Sequence, residues 1–163
     1  MLKKDVTQRA DIEDIVARFY DAVLADPIVG FIFTDIAKIQ LEHHLPIIVD
    51  FWDDIVFKKG VYKGNPLQKH LDIHHKMPLR PGHFTRWLFL FDKAVKEHHI
   101  GDNAQKMLDR AELVAKSISA ALIKAKRGDM NLVLPKIEPW NQGSIYLRKK
   151  TGFSSSESFW LNW

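Results

Sequence analysis

Apolar residues recur along the first three quarters of the chain with the spacing of amphipathic helices. Over Asp11–Ala25 they follow the i, i+3, i+4, i+7 rule, and acidic residues occupy the first turn, where they complement the helix dipole. Asp26-Pro27 ends this helix, because a residue that precedes a proline disfavours helical dihedral angles. The following Ile28–Phe33 is a short apolar connector whose length favours neither a helix nor a strand.

A second helical region is predicted over Asp35–Phe57. Pro46 lies inside it, where a proline removes one backbone hydrogen bond, so we expect the helix to kink there or to restart near Leu45. Lys58-Lys59-Gly60 closes the helix, with the glycine in a C-terminal role. Four side chains share one face of this region: His44, Ile48, Phe51 and Ile55.

Three further helices complete the pattern. Asn65-Pro66 opens a short helix that reaches about His75, since proline suits the first helical position. After a proline- and glycine-containing loop, a helix is predicted over His83–His99. Asp102 is a candidate cap for a last long helix over Asn103–Lys126, which Gly128 ends.

These five apolar-faced helices predict an all-α, bundle-like domain over residues 1–127. Residues 128–163 form a C-terminal extension of uncertain structure, either strand-like or partly disordered. Its aromatic residues would pack either on the helical body or on a second subunit, so an oligomer formed through this tail is one expectation.

Composition narrows the class of protein. A hydrophobic content of 46% and a charged content of 27% are ordinary for a soluble globular protein. The absence of cysteine excludes disulfides, thioether-attached haem and thiolate zinc sites, and it fits a cytoplasmic location. The N-terminus lacks the apolar core of a signal peptide, and no apolar run approaches the ~18 residues of a membrane span.

Charge argues against nucleic acid as a partner. The formal net charge is +4, but basic and acidic residues balance from Met1 to Ile123, so the excess lies in the tail. The body therefore lacks the basic surface typical of a nucleic-acid binder. We expect neither nucleic-acid nor membrane binding by the helical domain.

The candidate chemistry lies between Tyr62 and Phe91. His70 follows a Gly-Asn-Pro turn on an apolar helix face, and a neutral imidazole at the edge of an apolar cavity is what haem iron needs as an axial ligand. Trp87 lies on the apolar face of the next helix, where its indole N–H could donate to a small bound ligand. A hydrogen-bonded structural histidine and a core tryptophan remain the alternatives.

The order and spacing of several motifs resemble those of group III truncated haemoglobins, which are short bacterial globins. The resemblance covers about Ile12–Leu122 and excludes the tail. One departure is Leu41, where the family often has tryptophan. The motifs are Phe19-Tyr20, Asp26…Gly30…Phe33, His44-Leu45-Pro46, Asp50-Phe51-Trp52, Tyr62…Gly64-Asn65-Pro66…His70 and His83-Phe84…Arg86-Trp87-Leu88…Phe91.

The resemblance implies a two-on-two helical sandwich around haem b, with His70 as the proximal iron ligand. His74, one turn further along the same helix face, is its rival. The resemblance also implies a polar distal pocket formed by Tyr20, His44 and Trp87, in which His44 swings between the pocket and solvent. The side chains expected either to contact the porphyrin or to fill the core are Phe33, Phe51, Trp52, Phe84, Leu88 and Phe91. Arg80, Lys69 and Lys76 are candidates to pair with the haem propionates.

The function implied is the binding of dioxygen, carbon monoxide and nitric oxide at a five-coordinate iron. Peroxidase-like or nitric-oxide dioxygenase-type chemistry would suit the polar pocket, with a reductase as electron donor. Two alternatives stay open: a non-haem metal protein that uses its histidines, and a cofactor-free all-α interaction module.

Overall fold

The computed structural model describes residues 2–126, and within them the predicted all-α class is confirmed. Its five α-helices are α1 (Arg9–Leu24), α2 (Leu41–Phe57), α3 (Pro66–Lys76), α4 (Pro81–His98) and α5 (Asp102–Lys126). Contacts divide the chain into two units, Met1–Ile123 and Lys124–Trp163. The expectations for the extension at residues 128–163 lie outside the described residues.

Helix α1 is central to the first unit because it packs against both α2 and α4. Its apolar face is fully buried, and so are parts of α2, α4 and α5. Burial of this shared apolar surface is the main stabilising term for such a domain. The largest side chains with almost no exposure are Phe19, Phe91, Ile12, Ile15, Met107 and Leu122.

The connector after α1 contains a feature that the sequence did not predict. Residues Ile32–Ile36 form a π-helical turn, closed by a hydrogen bond of 2.8 Å from the Ala37 amide to the Ile32 carbonyl. The chain approaches α1 closely here, because a Cβ at residue 30 would lie 2.7 Å from the Leu24 carbonyl oxygen. Gly30 is therefore required by backbone contact.

The predicted start of the second helix at Asp35 is wrong. Helix α2 begins at Leu41, since Lys38 adopts the left-handed conformation (φ 51°) and separates it from the π-helical turn. Of the two expectations for Pro46, a kink or a restart near Leu45, the restart is wrong, because the helix continues through Pro46. A proline removes only one backbone bond, and the burial of Val49 on the following turn helps to hold the helix together.

Ion pairs join α1 to α2, and α4 to the connector after α1. The Arg9 guanidinium at the start of α1 lies 2.7 Å from Asp50 and 3.0 Å from Asp53 of α2. Arg86 of α4 lies 2.7 Å from the buried carboxylate of Asp26, which also accepts backbone N–H groups of the connector. Both contacts fix the elements on either side of the predicted distal residues.

Candidate functional site

His70 lies on α3, a helix that starts where the sequence predicts. The Asn65 side chain caps it by accepting a hydrogen bond of 3.1 Å from the Gln68 amide, and Pro66 occupies its first turn. None of the residues of α3 is fully buried. The short helix thus presents its half-buried face, with His70 on it, to the rest of the domain.

The tautomer of His70 is set by its own helix. Its Nδ1 lies 2.7 Å from the carbonyl oxygen of Pro66. Because a carbonyl can only accept, Nδ1 carries the hydrogen and donates it, and the neutral ring keeps its lone pair on Nε2. Burial lowers the pKa of His70, whereas the bond to Pro66 raises it. The ring is therefore held as a neutral imidazole with a metal-binding nitrogen available.

His74, the rival candidate, uses its Nδ1 atom as a hydrogen-bond acceptor instead of a donor. The Nδ1 atom of His74 accepts a hydrogen bond of 3.1 Å from the Leu79 amide, so its lone pair is engaged in the loop before α4. A neutral His74 then carries its hydrogen on Nε2. His75 is exposed. Of the three histidines of α3, His70 has the ring state that suits an axial ligand.

Asp54 and Tyr62 support the turn that precedes α3, and neither role was predicted from the sequence. The Asp54 carboxylate at the end of α2 accepts backbone hydrogen bonds of 2.9 Å from Val61 and 2.8 Å from Tyr62. The Tyr62 ring lies over Gly64, where a Cβ would lie 2.1 Å from its hydroxyl oxygen. An acidic residue seven positions before its partner leaves no local pattern by which it could be found.

Tyr20 of α1 and His44 of α2 contact each other. The Tyr20 hydroxyl lies 2.6 Å from His44 Nε2, and the two rings meet edge to face with centroids 5.3 Å apart. Burial raises the pKa of the Tyr20 phenol. Desolvation is the larger cause of a lowered pKa of His44, and the electrostatic influence of His70 lowers it further. Because a phenol is the more acidic partner and a neutral imidazole the better acceptor, we assign the hydrogen to the Tyr20 hydroxyl and the acceptor role to His44 Nε2.

Trp87 adjoins the same pair through the aromatic core. Its ring meets Phe19 edge to face at a centroid distance of 5.2 Å and stacks parallel to Phe91 at 5.4 Å. Phe19 in turn contacts Tyr20 at 5.2 Å. The indole is half-buried, so one part of it packs in the core while another remains accessible.

The predicted haem contacts divide by burial. Trp52 and Phe91 are 2% and 0% exposed and are covered by protein on all sides. The half-buried members of the set are Phe33, Phe51, Phe84 and Leu88. The Phe84 ring centroid lies 6.3 Å from that of His70.

Arg80 and His43 lie at the surface. Arg80 is exposed at the start of α4, and its backbone N–H donates to His83 Nδ1 at 3.2 Å. His43, next to His44 on α2, is exposed, as expected from its position off the apolar face. Within residues 2–126, no group of three histidine or acidic side chains is placed to hold a metal ion. Nor is any helix of that range long and apolar enough to cross a membrane.

Comparison with known proteins supports the resemblance. No family model matches the chain. The chain is 27% identical over 126 residues to the group 3 truncated hemoglobin ctb of Campylobacter jejuni subsp. jejuni serotype O:2, a match that covers 76% of this chain and 97% of that protein. The crystal structure of a group III truncated hemoglobin from Campylobacter jejuni superposes with a TM-score of 0.66 at 27% identity, over 74% of this chain and 95% of that one.

The resemblance to group III truncated haemoglobins is thus confirmed. It extends from sequence to fold, and it covers the helical domain.

The side chains of this globin-like domain fit a haem group. The donor set consists of one neutral imidazole with a free Nε2 lone pair, which is the usual proximal ligand of globins. Half-buried apolar side chains lie on α2 and α4, among them Phe84 with its ring centroid 6.3 Å from that of His70, and such side chains suit the faces of a porphyrin. Tyr20 and His44 provide a hydroxyl donor and a titratable imidazole. These two groups suit a small polar ligand.

Proposed function

We propose that this chain is a haem b protein that binds diatomic gases, with His70 as the proximal iron ligand. The hydrogen bond from His70 Nδ1 to the Pro66 carbonyl is the observation that carries the proposal, because it presents Nε2 as a ligand and raises its basicity. Similarity to group III truncated haemoglobins supports it independently.

Haem iron would supply the bond to dioxygen, carbon monoxide or nitric oxide, and the chain would supply the surroundings of that bond. Dioxygen bound in this way carries partial negative charge on its outer atom, and an O–H or N–H donor at about 3 Å stabilises it. Tyr20 is such a donor, and we assign the Trp87 indole N–H the same role. The half-buried Phe33, Phe51, Phe84 and Leu88 would contact the porphyrin and exclude water.

His44 competes with the gas for the Tyr20 hydroxyl. In the structure the phenol donates to His44 Nε2 at 2.6 Å, so a gas that accepts this hydrogen must displace the imidazole. We propose that His44 then turns outward and can carry a proton between solvent and the pocket. Such a donor and proton shuttle would also assist reduction of hydrogen peroxide, with a reductase or a small reductant as the electron source.

The first experiment is visible absorption of the purified protein as isolated, after reduction, and after reduction under carbon monoxide. A strong Soret band that shifts with carbon monoxide is expected. Replacement of His70 by glycine should abolish or strongly weaken it, and added imidazole should restore it by occupying the vacated position.

His75→Gly is the matched control, because it removes an exposed imidazole from the same helix and should leave the spectrum unchanged. The lack of a Soret band after addition of hemin would contradict the haem proposal. A normal band in His70→Gly without imidazole would contradict the ligand assignment alone.

A further inference from the structure

Aromatic rings run in unbroken contact from the distal pocket to the loop before α3. Trp87 stacks on Phe91 with centroids 5.4 Å apart and planes 6° apart, and Phe91 stacks on Trp52 at 4.7 Å and 18°. Trp52 contacts Phe51 at 5.0 Å, and Phe51 contacts Tyr62 at 5.2 Å. Each separation lies within the range of interacting aromatic pairs.

Easily oxidised rings alternate along this path with rings that are difficult to oxidise. Indoles and phenols are the aromatic side chains that lose an electron most readily, whereas phenylalanine does so with difficulty. Along this path Trp87, Trp52 and Tyr62 are the oxidisable rings, and each neighbouring pair is separated by a single phenylalanine ring in van der Waals contact. Such packing keeps the gaps between successive oxidisable groups short.

The two ends of the path differ in their surroundings. Trp87 contacts Phe19, which in turn contacts Tyr20 of the predicted distal set. Trp52 is buried to 2% exposure, which protects it from side reactions with solvent. Tyr62 is half-buried in a loop with exposed neighbours, so water can take its proton and a small molecule can reach its ring. Burial raises its pKa, and the phenol is therefore protonated before oxidation.

We propose that this path, Trp87–Phe91–Trp52–Phe51–Tyr62, carries one-electron oxidation from the haem pocket to Tyr62 when the protein reacts with hydrogen peroxide. The inference rests on the proposed haem function. It assigns Tyr62 as a second reaction site, at which phenolic reductants too large for the distal pocket would be oxidised.

Reduction of hydrogen peroxide to two waters takes two electrons and two protons. Tyr62 gives one electron through the path and its hydroxyl proton to water, which leaves a tyrosyl radical. An external phenol returns a hydrogen atom to Tyr62 and becomes a phenoxyl radical, and a second round supplies the second electron and proton. Without a reductant, the second electron and the second proton come from an indole of the path, which loses its N–H hydrogen and becomes an indolyl radical.

The test uses the haem-loaded full chain, treated with equimolar hydrogen peroxide and a nitroso spin trap, followed by peptide mass mapping. We expect the trap on Tyr62, and Tyr62→Phe should lose that adduct and the tyrosyl signal in freeze-quenched electron paramagnetic resonance. Tyr146→Phe is the matched control, since it removes another of the three tyrosines, and it should retain both.

Trp52→Phe tests the path itself, because it replaces the central oxidisable ring by one of similar shape. The Tyr62 adduct should then fall at least several-fold. An adduct found on Tyr20 or Tyr146 with Tyr62 unmodified, or an unchanged Tyr62 adduct in Trp52→Phe, would overturn the path. Failure to bind haem would overturn this inference together with the proposed function, whereas a normal Soret band with unmodified Tyr62 would overturn the path alone.

Discussion

At the scale of single residues, the site depends on which nitrogen of each histidine carries a hydrogen. The Pro66 carbonyl decides this for His70, and the Leu79 amide decides it in the opposite sense for His74. Two histidines on one helix face, four positions apart, are equivalent in the sequence. Only the hydrogen bonds of the folded chain separate an available ligand from a structural group.

The distal donors should control how fast dioxygen leaves. Tyr20→Phe removes the hydroxyl and keeps the ring that packs on Phe19 and Phe33. A hydrogen bond to a charged acceptor contributes about 1.5–3 kcal/mol, so we expect dioxygen to dissociate about ten-fold faster or more, measured by stopped-flow displacement with carbon monoxide. An unchanged rate in Tyr20→Phe combined with Trp87→Phe would refute the assignment of both donors.

At the scale of elements, short segments that the sequence describes poorly hold the helices in position. The presence of α3 follows from Asn65-Pro66, a local signal that the structure bears out. The contacts that hold the turn before α3 could not be predicted from such a signal, because their acceptor, Asp54, lies at the end of the preceding helix. The π-helical turn and the start of α2 at Leu41 were missed for the same reason: they depend on the approach of Gly30 to α1 and on the left-handed Lys38.

Asp54 should be needed to keep α3 in position. Asp54→Ala leaves two backbone N–H groups, those of Val61 and Tyr62, without their acceptor. We expect amide hydrogen exchange at these two residues to quicken and haem transfer to an acceptor apoprotein to accelerate several-fold. The free energy of unfolding should fall by about 1–3 kcal/mol.

Asp50→Ala is the control for this prediction. It removes a carboxylate that lies one turn away on the same helix. This carboxylate pairs with Arg9 at the half-exposed surface, and such pairs contribute about 0–1 kcal/mol to stability. Equal exchange rates at Val61 and Tyr62 in both variants would show that the carboxylate of Asp54 does not hold the loop.

At the scale of the whole helical domain, the N-terminal segment is joined to the junction between α4 and α5. Lys4 pairs with the end of α4, accepting a backbone hydrogen bond of 2.9 Å from Ile100. Asp5 then reaches the start of α5, where its carboxylate accepts hydrogen bonds from Asn103 at 3.1 Å and Ala104 at 2.9 Å. Burial opposes ionisation of Asp5, yet these backbone bonds lower its pKa. The expectation that Asp102 caps α5 by itself thus misses a carboxylate almost a hundred positions earlier in the chain.

Replacement of Asp5 should therefore lower the free energy of unfolding more than replacement of Asp102. Asp5→Ala removes a cap that satisfies two backbone N–H groups at the start of α5, and loss of such a cap costs about 1–2 kcal/mol. Asp102→Ala removes only a favourable charge from the first turn, which contributes about 0.3–1 kcal/mol. Urea unfolding at neutral pH, followed by circular dichroism, measures both.

Because Gly101 leaves no room for a Cβ beside the Asp5 side chain, Gly101→Ala should resemble Asp5→Ala. A larger loss in Asp102→Ala than in Asp5→Ala would mean that the helix is capped locally and that the N-terminal segment is dispensable.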